Sequence, residues 1–180
     1  MRKVLFLTCI LAGMFVSCSS GDDNIIQPTN VADGPIAGFF NAELPELNKS
    51  SDYYRVSKSF FYDPDSYGGT VIEENRACII NSRQELADIY LGDKELPEID
   101  FDKYTLVIGQ QIMPVLGFYV VKKELTESGE GLVLKLYARN DGEDLATALQ
   151  NLYFWELYPK LAQKTISVSV SMYYPNFPGH

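Results

Sequence analysis

The sequence predicts an α+β domain: a twisted, mostly antiparallel sheet of five to seven strands, with one short helix packed on one face. Three observations carry this reading. Residues 165–172, TISVSVSM, alternate apolar and small hydroxyl side chains with a period of two, the mark of a strand with one buried face. Residues 82–90 hold the one strong helix signal, Ser82-Arg83-Gln84-Glu85 followed by Leu86, Ile89 and Tyr90 at helical spacing. Between and around them, aromatic and β-branched runs recur, separated by Gly, Pro, Asn and Asp. Several strands beside one short helix give a sheet with the helix on one side.

Taken in order, Tyr53 to Tyr62, YYRVSKSFFY, is aromatic and β-branched with Arg and Lys interspersed, which predicts a strand. Asp63-Pro64-Asp65-Ser66-Tyr67-Gly68-Gly69 is a turn, because Pro fixes φ and the Gly pair admits positive φ. Thr70 to Ile80 returns as a second strand. The capping box then starts a helix over about residues 83–91, with Gly92 placed to stop it. Leu96 to Phe101 is an extended approach to Tyr104–Gln111, whose continuously apolar centre suits a strand buried on both faces in the middle of a sheet.

Met113-Pro114-Val115-Leu116-Gly117 is a bend. Phe118 to Lys123 and Leu132 to Ala138 pair as a hairpin through the turn residues Glu127-Ser128-Gly129-Glu130-Gly131. Asn140-Asp141-Gly142 marks another turn, and residues 143–150 suit a helical turn or two. Leu152 to Tyr158, LYFWELY, has the aromatic weight of a strand but could extend that helix; periodicity leaves both open. The last strand is read as antiparallel and half buried, with Ile166, Val168, Val170 and Met172 on one side and Thr165, Ser167, Ser169 and Ser171 on the other.

The N-terminus carries a different kind of signal. Arg2 and Lys3 precede a mostly apolar run, Val4 to Val16. Roughly 20 apolar residues cross a bilayer as a helix, so this run is too short, and it has the flanks of a secretory signal. It ends in Phe15-Val16-Ser17-Cys18, which resembles the lipobox of bacterial lipoproteins. The resemblance implies that residues 1–17 are a signal peptide and that Cys18 becomes the acylated first residue, palmitate included. Two acyl chains suffice for stable anchoring where one is marginal. Asp22-Asp23 close behind Cys18 resembles the export signal of Bacteroidetes surface lipoproteins. Residues 18–35, rich in Ser, Gly, Asp, Asn and Pro, are read as a flexible tether, holding a single domain (residues 36–180) on the order of 20–25 Å from the membrane.

Charge and side-chain inventory exclude several activities. The chain has a net charge of −9, and loss of Arg2 and Lys3 with the signal takes it to −11. That balance argues against nucleic-acid binding and against a polybasic membrane contact. Cys9 leaves with the signal and Cys18 is acylated, so Cys78 stands alone in an apolar run, read as a buried small hydrophobe. The only histidine is the terminal His180. A nucleophile–base pair must be held rigidly at hydrogen-bond distance, which a terminal residue suits poorly, and a His/Cys zinc site lacks ligands.

Candidate sites remain. Asp63, Asp65, Gly68 and Glu74 partly match a calcium loop, but Tyr67 and Val71 stand where oxygen ligands are needed, so an exposed hairpin turn is the better reading. Aromatic clusters at Tyr53-Tyr54, Phe60-Phe61-Tyr62, Tyr153-Phe154-Trp155 and Tyr173-Tyr174 must send about half their rings inward if they lie on strands. The outward members Tyr53, Tyr67 and Tyr173 then form a candidate contact surface. Glu156, set among aromatics, is the one carboxylate worth naming for glycoside hydrolysis, and a solvent-facing strand residue is its more ordinary role. No cofactor is expected.

The succession of capping box and helix, Leu96-Pro97-Glu98-Ile99-Asp100-Phe101, apolar strand, Gly117-Phe118 bend, hairpin, Pro159-Lys160 and final strand resembles the C-terminal domain of PrcB-type protease-complex accessory lipoproteins. The resemblance covers about residues 75–170. It implies a binding or assembly role beside a secreted protease, without chemistry of its own. Fold likeness alone does not transfer activity. The expected function is therefore a non-enzymatic outer-membrane lipoprotein acting by protein–protein contact. A surface glycan-binding lipoprotein of a nutrient-uptake system is the alternative.

Overall fold

The computed structural model describes residues 24–29, 34–44, 60, 75–129, 131–142, 150–162 and 165–175. The elements are β1 (Ile25–Ile26), α1 (Pro35–Glu43), β2 (Arg76–Ile80), α2 (Arg83–Ile89), β3 (Tyr104–Met113), β4 (Tyr119–Ser128), β5 (Gly131–Arg139), β6 (Gln150–Pro159) and β7 (Ile166–Tyr173). The fold is α+β and strand-dominated, as read from the sequence. Among the described residues, seven strands divide into a four-stranded sheet, β1-β4-β5-β7, and a three-stranded sheet, β2-β3-β6. Every pairing is antiparallel except that of β5 with β7.

The two sheets share a core. Leu125, Leu132, Leu134 and Leu136 of the larger sheet cluster with Val107, Phe154 and Tyr158 of the smaller one. The opposite face of the smaller sheet packs against the helices, where Ile80, Leu106, Ile108 and Leu157 meet Phe40 of α1 and Leu86 of α2. Because successive strand residues point to opposite faces, β3 serves both clusters. That makes it the doubly buried central strand its apolar run predicts.

Each helix is started by local chemistry. In α2 the Ser82 hydroxyl accepts from the Glu85 N–H at 3.1 Å. The Glu85 carboxylate reaches back to the Asn81 N–H at 2.6 Å, one residue earlier than the reciprocal bond of a capping box. The helix ends at Ile89 rather than through Gly92: Tyr90 takes extended backbone and bridges Phe60. Gly92 has no positive φ; the Tyr90 ring lies against it, where a Cβ would collide. Helix α1 was not expected. Its signal is Pro35 in the first turn, which needs no N–H there, followed by Ile36, Phe39 and Phe40 at i, i+3 and i+4 spacing. Buried Glu43 ties α1 down, accepting from the Tyr90 hydroxyl at 3.0 Å and from Lys94 Nζ at 2.6 Å. Burial first, then this bond to Glu43, pushes the Tyr90 hydroxyl up to about 12.

Four sequence expectations are corrected. The stretch 18–35 is not all tether: Ile25–Ile26 pairs with Thr126 and Leu125 of β4, and Thr29 donates its N–H and its hydroxyl to the Leu157 carbonyl at 2.8 and 3.0 Å. The last strand is parallel to β5, not antiparallel, because β6 crosses to the other sheet and the chain re-enters in the direction of β5. Met172, counted with the buried side, is 49% exposed, since it lies beyond the core clusters that Val168 and Val170 join. The hairpin turn is narrower than Glu127–Gly131, with Ser128 paired to Gly131. Leu152 to Tyr158 is strand, in register with β3 along all ten residues of β6. The strand expected over 53–62, the turn at 63–69 and the helical turn over 143–150 lie outside the described residues, apart from Phe60 and Gln150.

Candidate functional site: the outer face of the four-stranded sheet

The inner side of the larger sheet is apolar, so its other side must meet solvent or a partner. Residues 132–139, LVLKLYAR, alternate strictly. Leu132, Leu134, Leu136 and Ala138 are buried, and Val133, Lys135, Tyr137 and Arg139 therefore stand on the outer side. Register extends that side into rows. Tyr119, Arg139 and Tyr173 form one; Lys122, Tyr137 and Ser171 the next; Glu124, Lys135 and Ser169 the third. A β-bulge after Val120 puts Val121 out of register, and its side chain is 54% exposed.

The polar groups of this face hold one another. Tyr137 donates its hydroxyl to Glu124, and Lys122 pairs with the same carboxylate. Lys122 and Lys135 both approach the Tyr137 ring, with Nζ at 5.3 and 4.8 Å from its centroid, within reach of a cation–π attraction. In the neighbouring row Asp141 accepts from the Tyr119 hydroxyl at 2.7 Å and from Arg139 Nε at 2.6 Å. Lys122 and then Tyr137 hold Glu124 below the usual carboxylate range. Tyr119 and then Arg139 do the same for Asp141. The bond to Asp141 in turn raises Tyr119. The result is a stiffened polar plate with three cations and two anions on a chain that is acidic overall. β7 adds a column of hydroxyls, Ser167, Ser169 and Ser171, that ends in Tyr173, 58% exposed.

Tyr173 is thus on the surface, as read from the sequence. Tyr53 and Tyr67 lie outside the described residues, and so do Cys18, His180 and the calcium candidates Asp63, Asp65 and Glu74. Among the described residues no three His, Cys, Asp or Glu side chains stand close enough to hold a metal ion. Cys78 is half buried, and burial raises its thiol. Glu156 does not face solvent: it points between the sheets and pairs with Lys123 at 2.8 Å. Trp155 is committed to packing, stacked on Phe40 at 4.9 Å with Nε1 donating to Asn41. The aromatic segment of β6 is therefore mostly core. Lys122, Lys135 and Tyr137 were missed as a site, although the period-two alternation of 132–139 signals their outward side.

Fold and face together define a two-sheet α+β domain with a polar, tyrosine-bearing outer surface. Comparison with protein-family models, with curated proteins and with solved structures found no match to the chain.

Proposed function

We propose that this protein is a lipid-anchored binding module of the bacterial outer membrane, held by acyl chains on Cys18 and acting by protein–protein contact through the outer face of the larger sheet. The observation that supports it is the exposure of Tyr173 beside a pre-ordered array of Tyr137, Lys122, Lys135 and three serines. A large ring with a polar edge gives contact area at small conformational cost, and ordered neighbours reduce what binding must immobilise. The acids of this face are held ionised, whereas an acid–base catalyst needs a pKa near the working pH. Contact rather than chemistry is the reading this favours. A secreted protease is the partner the PrcB-type resemblance suggests.

The test is a photo-crosslinking residue placed at position 173 in the cell-made protein, with position 98 as control because Glu98 is exposed elsewhere. A discrete protein adduct from 173 and none from 98 is expected. Absence of an adduct, together with glycan-array binding abolished by Tyr173→Ala, would overturn protein contact in favour of a glycan. Mass spectrometry of the same protein should find acyl chains on residue 18 and no leader; an unmodified residue 18 removes the anchor from the proposal.

A further inference from the structure

The segment that opens the domain is fastened at two points. Ile25 and Ile26 pair antiparallel with Thr126 and Leu125 of the larger sheet, and Ile26 packs against the core between the sheets. Three residues on, Thr29 gives its N–H and its hydroxyl to the Leu157 carbonyl of β6, at 2.8 and 3.0 Å. Residues 25–29 therefore strap one sheet to the other, and the strap has a direction. The step from Ile25 to Ile26 runs from Thr126 to Leu125, away from the β4–β5 turn. The chain thus enters the domain from the end of the larger sheet where Ser128 pairs with Gly131.

The rows of the outer face lie at increasing distance from that end. Glu124, Lys135 and Ser169 are nearest, Lys122, Tyr137 and Ser171 come next, and Tyr119, Arg139 and Tyr173 are farthest. From Gly131 to Arg139 the strand advances about 26 Å. The strap also shortens the tether. Residues 18–35, if all were free, would reach up to about 60 Å. With the chain fastened at Ile25, only residues 18–23 precede the described part, and by any path they span at most about 22 Å. The turn Glu127-Ser128-Gly129-Glu130-Gly131 has no apolar side chain, so it has nothing to bury in a bilayer.

We infer that the domain stands on the membrane with the β4–β5 turn nearest the lipid and the Tyr119, Arg139 and Tyr173 row at the far end. The partner of this face then approaches from the aqueous side and not from within the bilayer. The inference rests on acylation of Cys18, as proposed above, and adds an orientation to it. Attachment at one end of a sheet through a short tether brings that end down, whereas a long free tether would let the domain present any side. The competing arrangement lays Lys122, Lys135 and Arg139 flat on anionic lipid. Against it, Glu124 already pairs with Lys122 and Asp141 with Arg139, and the chain as a whole is acidic.

Heights above the membrane test this. The cell-made, acylated full chain carrying Cys78→Ala is placed in phosphatidylethanolamine–phosphatidylglycerol vesicles, with a fluorophore on Ser128→Cys or on Val121→Cys. Both positions are exposed, seven residues apart on β4, so neither variant disturbs the core. Energy transfer to acceptor lipids in the headgroup layer should place position 121 about 20 Å higher than position 128. Equal heights, or position 121 the lower, on protein that mass spectrometry finds acylated at residue 18 overturns the inference and leaves the anchor standing. An unacylated residue 18 removes anchor and orientation together. The strap has its own check. Ile25→Cys with Thr126→Cys sets two thiols on directly opposed residues, with Cα atoms about 4.5–5.5 Å apart, within disulfide range. An intramolecular bridge is expected in the cell-made protein, and its absence overturns the strap on which the orientation depends.

Discussion

The side-chain amide of Gln150 satisfies both backbone polar groups of Phe118: its Oε1 accepts from the Phe118 N–H at 2.9 Å, and its Nε2 donates to the Phe118 carbonyl at 2.8 Å. Both residues are buried. The chain has just left the bend at Gly117, whose φ is 87°, and Phe118 precedes the first residue of β4. Gln150 therefore does for Phe118 what a neighbouring strand would do. Gln150→Leu keeps the bulk and strands two buried groups, each costing about 1–3 kcal/mol. A loss of about 2–6 kcal/mol in urea unfolding is expected, and a change under about 0.5 kcal/mol would show that water replaces the amide.

Lys123 and Glu156 join the two sheets. Lys123 Nζ lies 2.8 Å from the carboxylate and 2.7 Å from the Trp155 carbonyl, and both side chains keep about a quarter of their exposure. Such a pair stands between surface bridges, worth up to about 1 kcal/mol, and buried ones, whose single removal costs about 3–5 kcal/mol. Lys123→Met and Glu156→Gln should each destabilise by roughly 1–3 kcal/mol. The double variant should lose less than the sum, and strict additivity in the double-mutant cycle would show no coupling.

Gly109 lies opposite Ala77 in β2 and Phe154 in β6. A Cβ there would run into the Arg76 carbonyl oxygen and the Phe154 ring. The carbonyl belongs to the backbone and cannot swing away. Gly109→Ala should therefore cost about 1–3 kcal/mol by overpacking, read as a lowered melting temperature with the smaller sheet losing hydrogen-exchange protection first. Gly38, which meets nothing within 4 Å at its Cβ, should tolerate alanine.

Acid should weaken the outer face in a defined direction. Glu124 and Asp141 are held below their ordinary values of 4.5 and 3.8. A carboxyl depressed in the folded state stabilises above its unfolded pKa and loses that contribution as pH falls through the folded one. The melting temperature should be flat above about pH 5 and fall below it. Glu124→Gln with Asp141→Asn should flatten the acid limb. Both groups are only partly buried, so solvent screening keeps the effect small, and an unchanged acid limb in the double variant would assign it to other carboxylates.

Much of this fold is legible locally. The capping box marks the start of α2 because its hydrogen bonds lie within four residues. The alternation of 132–139 and 166–172 tells which side chains turn inward, because the pleat has a period of two whatever lies beside the strand. The apolar run at 104–111 marks a doubly buried strand for the same reason. Neighbours are another matter. Nothing in LYFWELY distinguishes a strand from a helical extension until β3 lies beside it in register, and nothing in TISVSVSM says that its neighbour runs parallel.

Read alone, the chain reveals helix α2, strands β3, β5 and β7 and its acidic, cysteine-poor character. Those properties follow from side-chain chemistry and short-range geometry. The division of the strands into two sheets, the inward turn of Glu156 to Lys123 and the gathering of Tyr137, Tyr173 and the serines on one face come from the folded chain. Each of these depends on contacts between residues far apart in the chain, where backbone hydrogen bonding and core burial act jointly, and no local pattern carries that information.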